Sequence, residues 1–156
     1  MAAESQEVEE VIAMFQEGYL DSIRSIMHTL DQVAAVYGVG WSTLAILFQV
    51  NANPRMTVSE LSACNKITKG AVSLQITELL NRGLIRLKTD PKDRRRHVIV
   101  VTPKGQELAQ KTNQVAGKMA TEVIQAISLD GMKDMHKKLS EVAQALSKVP
   151  LDKKIQ

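Results

Sequence analysis

The chain has 156 residues, 44% of them hydrophobic and 24% charged, with a formal net charge of +3. That length and balance fit one domain or two small lobes sharing a core; they exclude a disordered tail protein and a fibrous repeat, and no apolar run is long enough for a membrane span. Residues 65 to 104 hold ten Lys/Arg against three acids, a balance of +7, while the remainder holds ten basic and fourteen acidic groups, −4. Such a split predicts a polyanion-binding module on a scaffold that stays clear of the polyanion.

The opening, Met1 to Glu10, is acidic and lacks a basic start and an apolar stretch, so no signal peptide is expected and the chain reads as cytoplasmic. Residues 6 to 37 read as one long helix: Val8, Ile12, Phe15, Tyr19, Ile23, Ile26, Leu30, Val33 and Tyr37 recur at spacings of three and four. A domain this small does not cover so long a stripe, which predicts that part of it packs on a second chain. Gly38-Val39-Gly40 breaks the helix. Trp41 to Val50 reads as a second helix, apolar nearly all round, ended by Asn51-Ala52-Asn53-Pro54.

Thr57-Val58-Ser59-Glu60 is a capping box opening a short helix to about Cys64. Asn65-Lys66-Ile67 makes a turn. Thr68 then caps a helix from Lys69 to Arg82, with Val72, Leu74 or Gln75, Ile76 and Leu79 or Leu80 facing inward and Gly83 as its stop. Two short helices joined this way form a helix-turn-helix. Leu84 to Lys88 and His97 to Val101 read as strands; the charged loop between them, with Asp90-Pro91 as turn signal, makes a β-wing. Thr102-Pro103 starts a helix of roughly 25 residues. A last helix begins near Ser128 and carries Met132, Met135, Leu139, Val142, Leu146 and Val149 on a heptad seam suited to pairing with another helix.

Thr57-Val-Ser-Glu-Leu61, Arg82-Gly-Leu-Ile-Arg86, Asp90-Pro-Lys-Asp-Arg-Arg95 and Val101-Thr-Pro-Lys-Gly105 resemble the MarR family of winged-helix transcription regulators, in order and spacing. The resemblance is densest over 57 to 105. It implies a mostly α fold with a small β-wing: a winged helix-turn-helix whose N- and C-terminal helices interlock in a homodimer. The division expected is 1–40 for the N-terminal dimerisation helix, 41–104 for the DNA-binding domain and 105–156 for the C-terminal dimerisation helices. It also implies that the helix from 69 to 82 enters a major groove and that Arg95 reaches into the adjacent minor groove. Relatives often carry Arg after the Ser/Thr in mid recognition helix. Here Leu74 follows Ser73, so base readout is expected from Lys69, Ser73 and Gln75.

Duplex DNA is a line of phosphates, which cations and helix N-termini recognise. The expected interface is therefore Lys66, Thr68, Lys69, Gly70, Ser73, Gln75, Arg94, Arg95 and Arg96. Against this, Thr68 can be only a cap, Gly70 a packing residue, and Ser73 and Gln75 a solvated face. Asp93 is expected to pair with a neighbouring Arg and hold the wing's shape. Arg24 and His28, one turn apart and near Tyr37 and Trp41, form a candidate site for an aromatic-acid effector; an exposed charge ladder on the first helix is the simpler account.

Cys64 reads as a partly buried, inert thiol. His28, His97 and His136 have no ligand spacing, so neither a metal nor a cofactor is expected. No catalytic set appears, and an enzyme is not expected. The function read here is a sequence-specific double-stranded-DNA-binding repressor released by a small ligand. The alternative is a non-sequence-specific architectural DNA binder.

Overall fold

A computed structural model describes residues 2–90 and 93–150. The chain divides into two compact units, Met1–Ala109 and Gln110–Gln156.

The first unit opens with α1 (Ala2–Ala13), a π-helical segment (Met14–Tyr19) and α2 (Leu20–Ala35). The periodic stripe predicted one helix here, and the π segment inside it is the departure. Phe15, Tyr19 and Ile23 step by four, which overshoots the 3.6-residue α-turn; a wider turn takes up the difference. The Phe15 and Tyr19 rings lie 5.5 Å apart. Gly38, at φ 73°, turns the chain out of α2. Asp31 then accepts the Trp41 backbone N–H at 3.0 Å at the start of α3 (Trp41–Ala52).

α3 is the centre of the core. Leu44, Ile46, Leu47 and Val50 are buried, together with Leu61 of α4 (Val58–Asn65), Val72, Ile76 and Leu79 of α5 (Lys69–Asn81), and Leu84, Ile85 and Ile99 of the wing. Each such side chain stabilises the fold by about 1.5–3 kcal/mol through removal from water. Polar ties fix the helices on one another. Thr43 donates to Glu78 at 2.7 Å, joining α3 to α5, and the Gln49 and Asn65 amides exchange hydrogen bonds at 2.9 and 2.8 Å, joining α3 to α4.

β1 (Ile85–Thr89) and β2 (His97–Val101) pair antiparallel, Ile85 opposite Val101 and Thr89 opposite His97. The Ile99 N–H donates to Met56 O at 2.9 Å, so the segment before α4 lines the other edge of β2. Thr102 caps α6 (Pro103–Leu146): its hydroxyl donates to Gly83 O at 2.7 Å and accepts from the Gly105 N–H at 3.2 Å. A side chain at Gly105 would collide with Leu84 O, so that position has to be glycine.

The second unit holds most of α6. The helix is interrupted at Ser128 (φ 61°, ψ 166°), whose hydroxyl accepts from the Gly131 N–H at 3.2 Å and restarts the helical run. This is the break expected near Ser128. Met132, Met135, Leu139, Val142, Leu146 and Val149 are all exposed, as are Val8, Val11, Ile12, Ile23 and Ile26 in the first unit. No helix among the described residues is long and apolar enough to cross a membrane.

Candidate nucleic-acid interface

The interface begins at the turn between α4 and α5. Thr57 and Glu60 make both halves of the capping box, at 3.2 Å (Glu60 N–H to Thr57 Oγ1) and 2.7 Å (Thr57 N–H to Glu60 Oε2), which sets where α4 starts. α4 ends on Lys66, which takes the left-handed conformation (φ 53°), and Ser62 clasps the far side of the turn by donating to Ile67 O at 2.7 Å. Thr68 accepts the Ala71 N–H at 3.2 Å and opens α5. The turn exposes Lys66, Thr68, Lys69 and Gly70 side by side. A Cβ at Gly70 would meet only the Thr68 hydroxyl, at 3.8 Å, so internal packing does not require glycine there.

With Val72, Ile76 and Leu79 buried, the opposite face of α5 presents Gly70, Ser73, Leu74 and Thr77. The Ser73 hydroxyl donates to Lys69 O and that of Thr77 to Ser73 O, both at 2.8 Å. Gln75 does not share this face. It is half-buried, and its Oε1 is buried with no hydrogen-bond partner among the described residues. This settles the choice the periodicity left open: Gln75 turns in and Leu74 turns out.

The wing is built by its own backbone and two ion pairs. Asp90 N–H donates to Arg96 O at 2.8 Å and Arg96 N–H to Asp93 O at 3.0 Å. Asp93 accepts the Arg95 N–H at 3.0 Å. Asp93 thus shapes the wing as expected, but through a main-chain N–H rather than through an Arg side chain. Arg55 meets Asp90 at 3.1 Å, and Arg96 meets Glu60 of α4 at 2.7 Å. The Glu60 carboxyl is held below its ordinary value, first by the Thr57 N–H, then by the Thr57 hydroxyl, and further by the Arg96 charge. Arg96 is therefore an anchor of the wing rather than a free cation. The Arg94 and Arg95 guanidiniums are exposed and make no hydrogen bond or ion pair with a described residue. Pro91 and Lys92, including the expected Asp90-Pro91 turn, lie outside the described residues.

Residues 37–96, from the end of the first helical run to the wing, match the family model described as the MarR family. Over that segment the chain is similar to the MarR family. Solved structures agree on the fold. A MarR family transcription regulator superposes with a TM-score of 0.76 at 19% identity, over 94% of this chain and 95% of that one. MarR of Staphylococcus aureus, in complex with salicylate and kanamycin, gives 0.74 at 20% identity over 92% and 97%. The S. aureus MepR–DNA complex gives 0.72 at 19% identity over 83% and 96%. Comparison with curated protein sequences finds no match.

Around this winged-helix segment, the residues named for an effector divide into two pairs. Arg24 and His28 are exposed on α2. Tyr37 and Trp41 pack against the core, with Trp41 edge-on to Phe48 at 6.4 Å between ring centres. Asp31, one turn beyond His28, links α2 to the Trp41 backbone. Cys64 is exposed, not partly buried, in the last turn of α4. Among the described residues no group of three or more His, Cys, Asp or Glu converges as a metal site.

Sequence reading missed the two ties that hold the wing. Glu60 and Arg96 are 36 positions apart, as Arg55 and Asp90 are 35. No local spacing signals such pairs.

Proposed function

We propose that this chain is a homodimeric, sequence-specific double-stranded-DNA-binding transcription regulator, acting as a repressor in the cytoplasm. One observation carries the reading: the exposed face of α5 and the two unpaired arginines of the wing fall within a single segment of balance +7 in an otherwise acidic chain. α5 fits a major groove, and Arg94 and Arg95 fit the neighbouring minor groove, whose negative potential favours Arg at a protruding tip. The relatives solved with DNA support this: S. aureus MepR and an E. coli MarR mutant with operator DNA. The exposed apolar stripes of both units support a second copy as the partner. The proposed function involves no catalysis, and we do not read the chain as an enzyme.

Release by a small aromatic acid is the regulatory half of the proposal. It is supported by Arg24 and His28 beside the Asp31–Trp41 link and by the S. aureus relative solved with salicylate. A ligand that favours a different arrangement of the dimer shifts the population away from the DNA-bound state.

The test is selection of bound fragments from a duplex library at about 0.15 M salt, where non-specific attraction is weakened. Recovery of a short inverted repeat is expected, with its affinity falling when aromatic acids are added. Uniform recovery of all fragments would reassign the chain to architectural DNA binding. Unchanged affinity across the acids would remove the effector.

A further inference from the structure

The outward face of α5 has an unusual centre for a surface that meets polar base edges. Leu74 is 75% exposed; of the large exposed hydrophobics among the described residues only Val36, at 80%, is more open. A lone exposed leucine is common on protein surfaces. What distinguishes Leu74 is its place, opposite the buried Val72–Ile76–Leu79 ridge and in the second turn of the helix that Lys66 and Lys69 introduce.

Its polar neighbours have their donors engaged. The hydroxyl hydrogens of Ser73 and Thr77 are held by main-chain oxygens within α5, and Gln75 is turned inward. Past Lys69, the group that protrudes furthest is therefore an isobutyl side chain with nothing to donate or accept. A major groove offers such a group one distinctive apolar partner, the C5-methyl of thymine; the other features that tell the base pairs apart there are donors and acceptors. Against those, Leu74 would cover polar edges without pairing them, which is costly.

From this arrangement we infer that Leu74 is a specificity-determining residue that selects thymine through its methyl group. The inference rests on the DNA-binding function proposed above and names the chemistry by which α5 reads sequence. Specificity then comes from exclusion and methyl contact at the centre of the helix, with Lys69 and the helix N-terminus supplying phosphate affinity.

The test uses the full-length protein and the duplex recovered by selection, resynthesised with each thymine replaced in turn by deoxyuridine, which deletes only the methyl. One thymine per half-site is expected to be sensitive, with affinity falling about fourfold per methyl removed. Leu74→Ala, at an exposed position where alanine suits a helix, should melt no lower than the parent and bind thymine and uracil duplexes alike. Leu74→Met should keep the preference. Equal binding of thymine and uracil duplexes at every position would overturn the assignment. So would a thymine preference that persists undiminished in Leu74→Ala. A library that enriches no sequence would instead overturn the regulator reading itself, and this inference with it.

Discussion

Lys66 holds a left-handed backbone at φ 53°, a conformation that glycine adopts at little cost and that other residues adopt under strain. The side chain there is exposed and contributes a positive charge beside the start of α5. Local stability and phosphate attraction therefore pull in opposite directions at one residue. Lys66→Gly is expected to raise folding stability by up to about 1 kcal/mol and to weaken DNA binding across all sequences. Parallel melting and salt titrations separate the two effects, and a less stable protein with unchanged affinity would contradict the account. Gln75 gives the complementary case. Its buried Oε1 lacks a partner among the described residues, so Gln75→Met should be neutral or stabilising by about 1 kcal/mol, with operator affinity intact. Loss of affinity on the specific site alone would return Gln75 to the base-reading face. The choice between Leu74 and Gln75 was not legible in the sequence because adjacent residues on a short amphipathic helix flank its boundary, and only the packing of α5 decides which one is covered.

The elements themselves were largely legible, because their signals are local. Thr57 and Glu60, Thr68, and Thr102 with Pro103 announce three helix starts within four residues each, and all three caps form. The π segment at 14–19 was not, since three- and four-residue spacings accommodate it without a visible break. Nor was the attachment of the wing to α4, which is long-range in sequence. That attachment is pH-dependent in a definite direction. Glu60 is held below its ordinary value of 4.5, so the stability it contributes is complete above that value and is lost as pH falls through the lower folded value. Melting temperatures of the parent and Glu60→Gln should differ at neutral pH and converge in acid; a constant gap would show that the carboxylate charge is not what holds α4 and the wing. Arg95→Ala and Arg96→Ala should likewise differ in kind. The first is expected to lower the slope of log affinity against log salt by about one with the fold unchanged. The second is expected to loosen the wing as well, because it leaves Glu60 without its partner at 2.7 Å. Identical salt slopes for the parent and Arg95→Ala would remove the wing tip from the interface.

At the scale of the whole molecule, both compact units expose apolar residues at helical spacing: Val8, Ile12, Ile23 and Ile26 in one, and Met132, Met135, Leu139, Val142, Leu146 and Val149 in the other. Isolated apolar side chains on a surface need no explanation, but two periodic stripes do. The heptad seam at 132–149 was visible in the sequence because it is strictly periodic, and the proposed second copy would cover it. Leu139→Asp is expected to shift the protein from dimer to monomer in sedimentation and to abolish specific binding without altering the wing. A two-fold dimer presents two α5 helices, so the DNA should carry two half-sites about 10 bp, or ~34 Å, apart. Hydroxyl-radical footprinting of the selected duplex tests this most directly. The account predicts two equivalent protected half-sites related by a two-fold axis, each with a protected minor groove beside it from the wing. Continuous, unphased protection, or a single protected half-site at saturation, would contradict it.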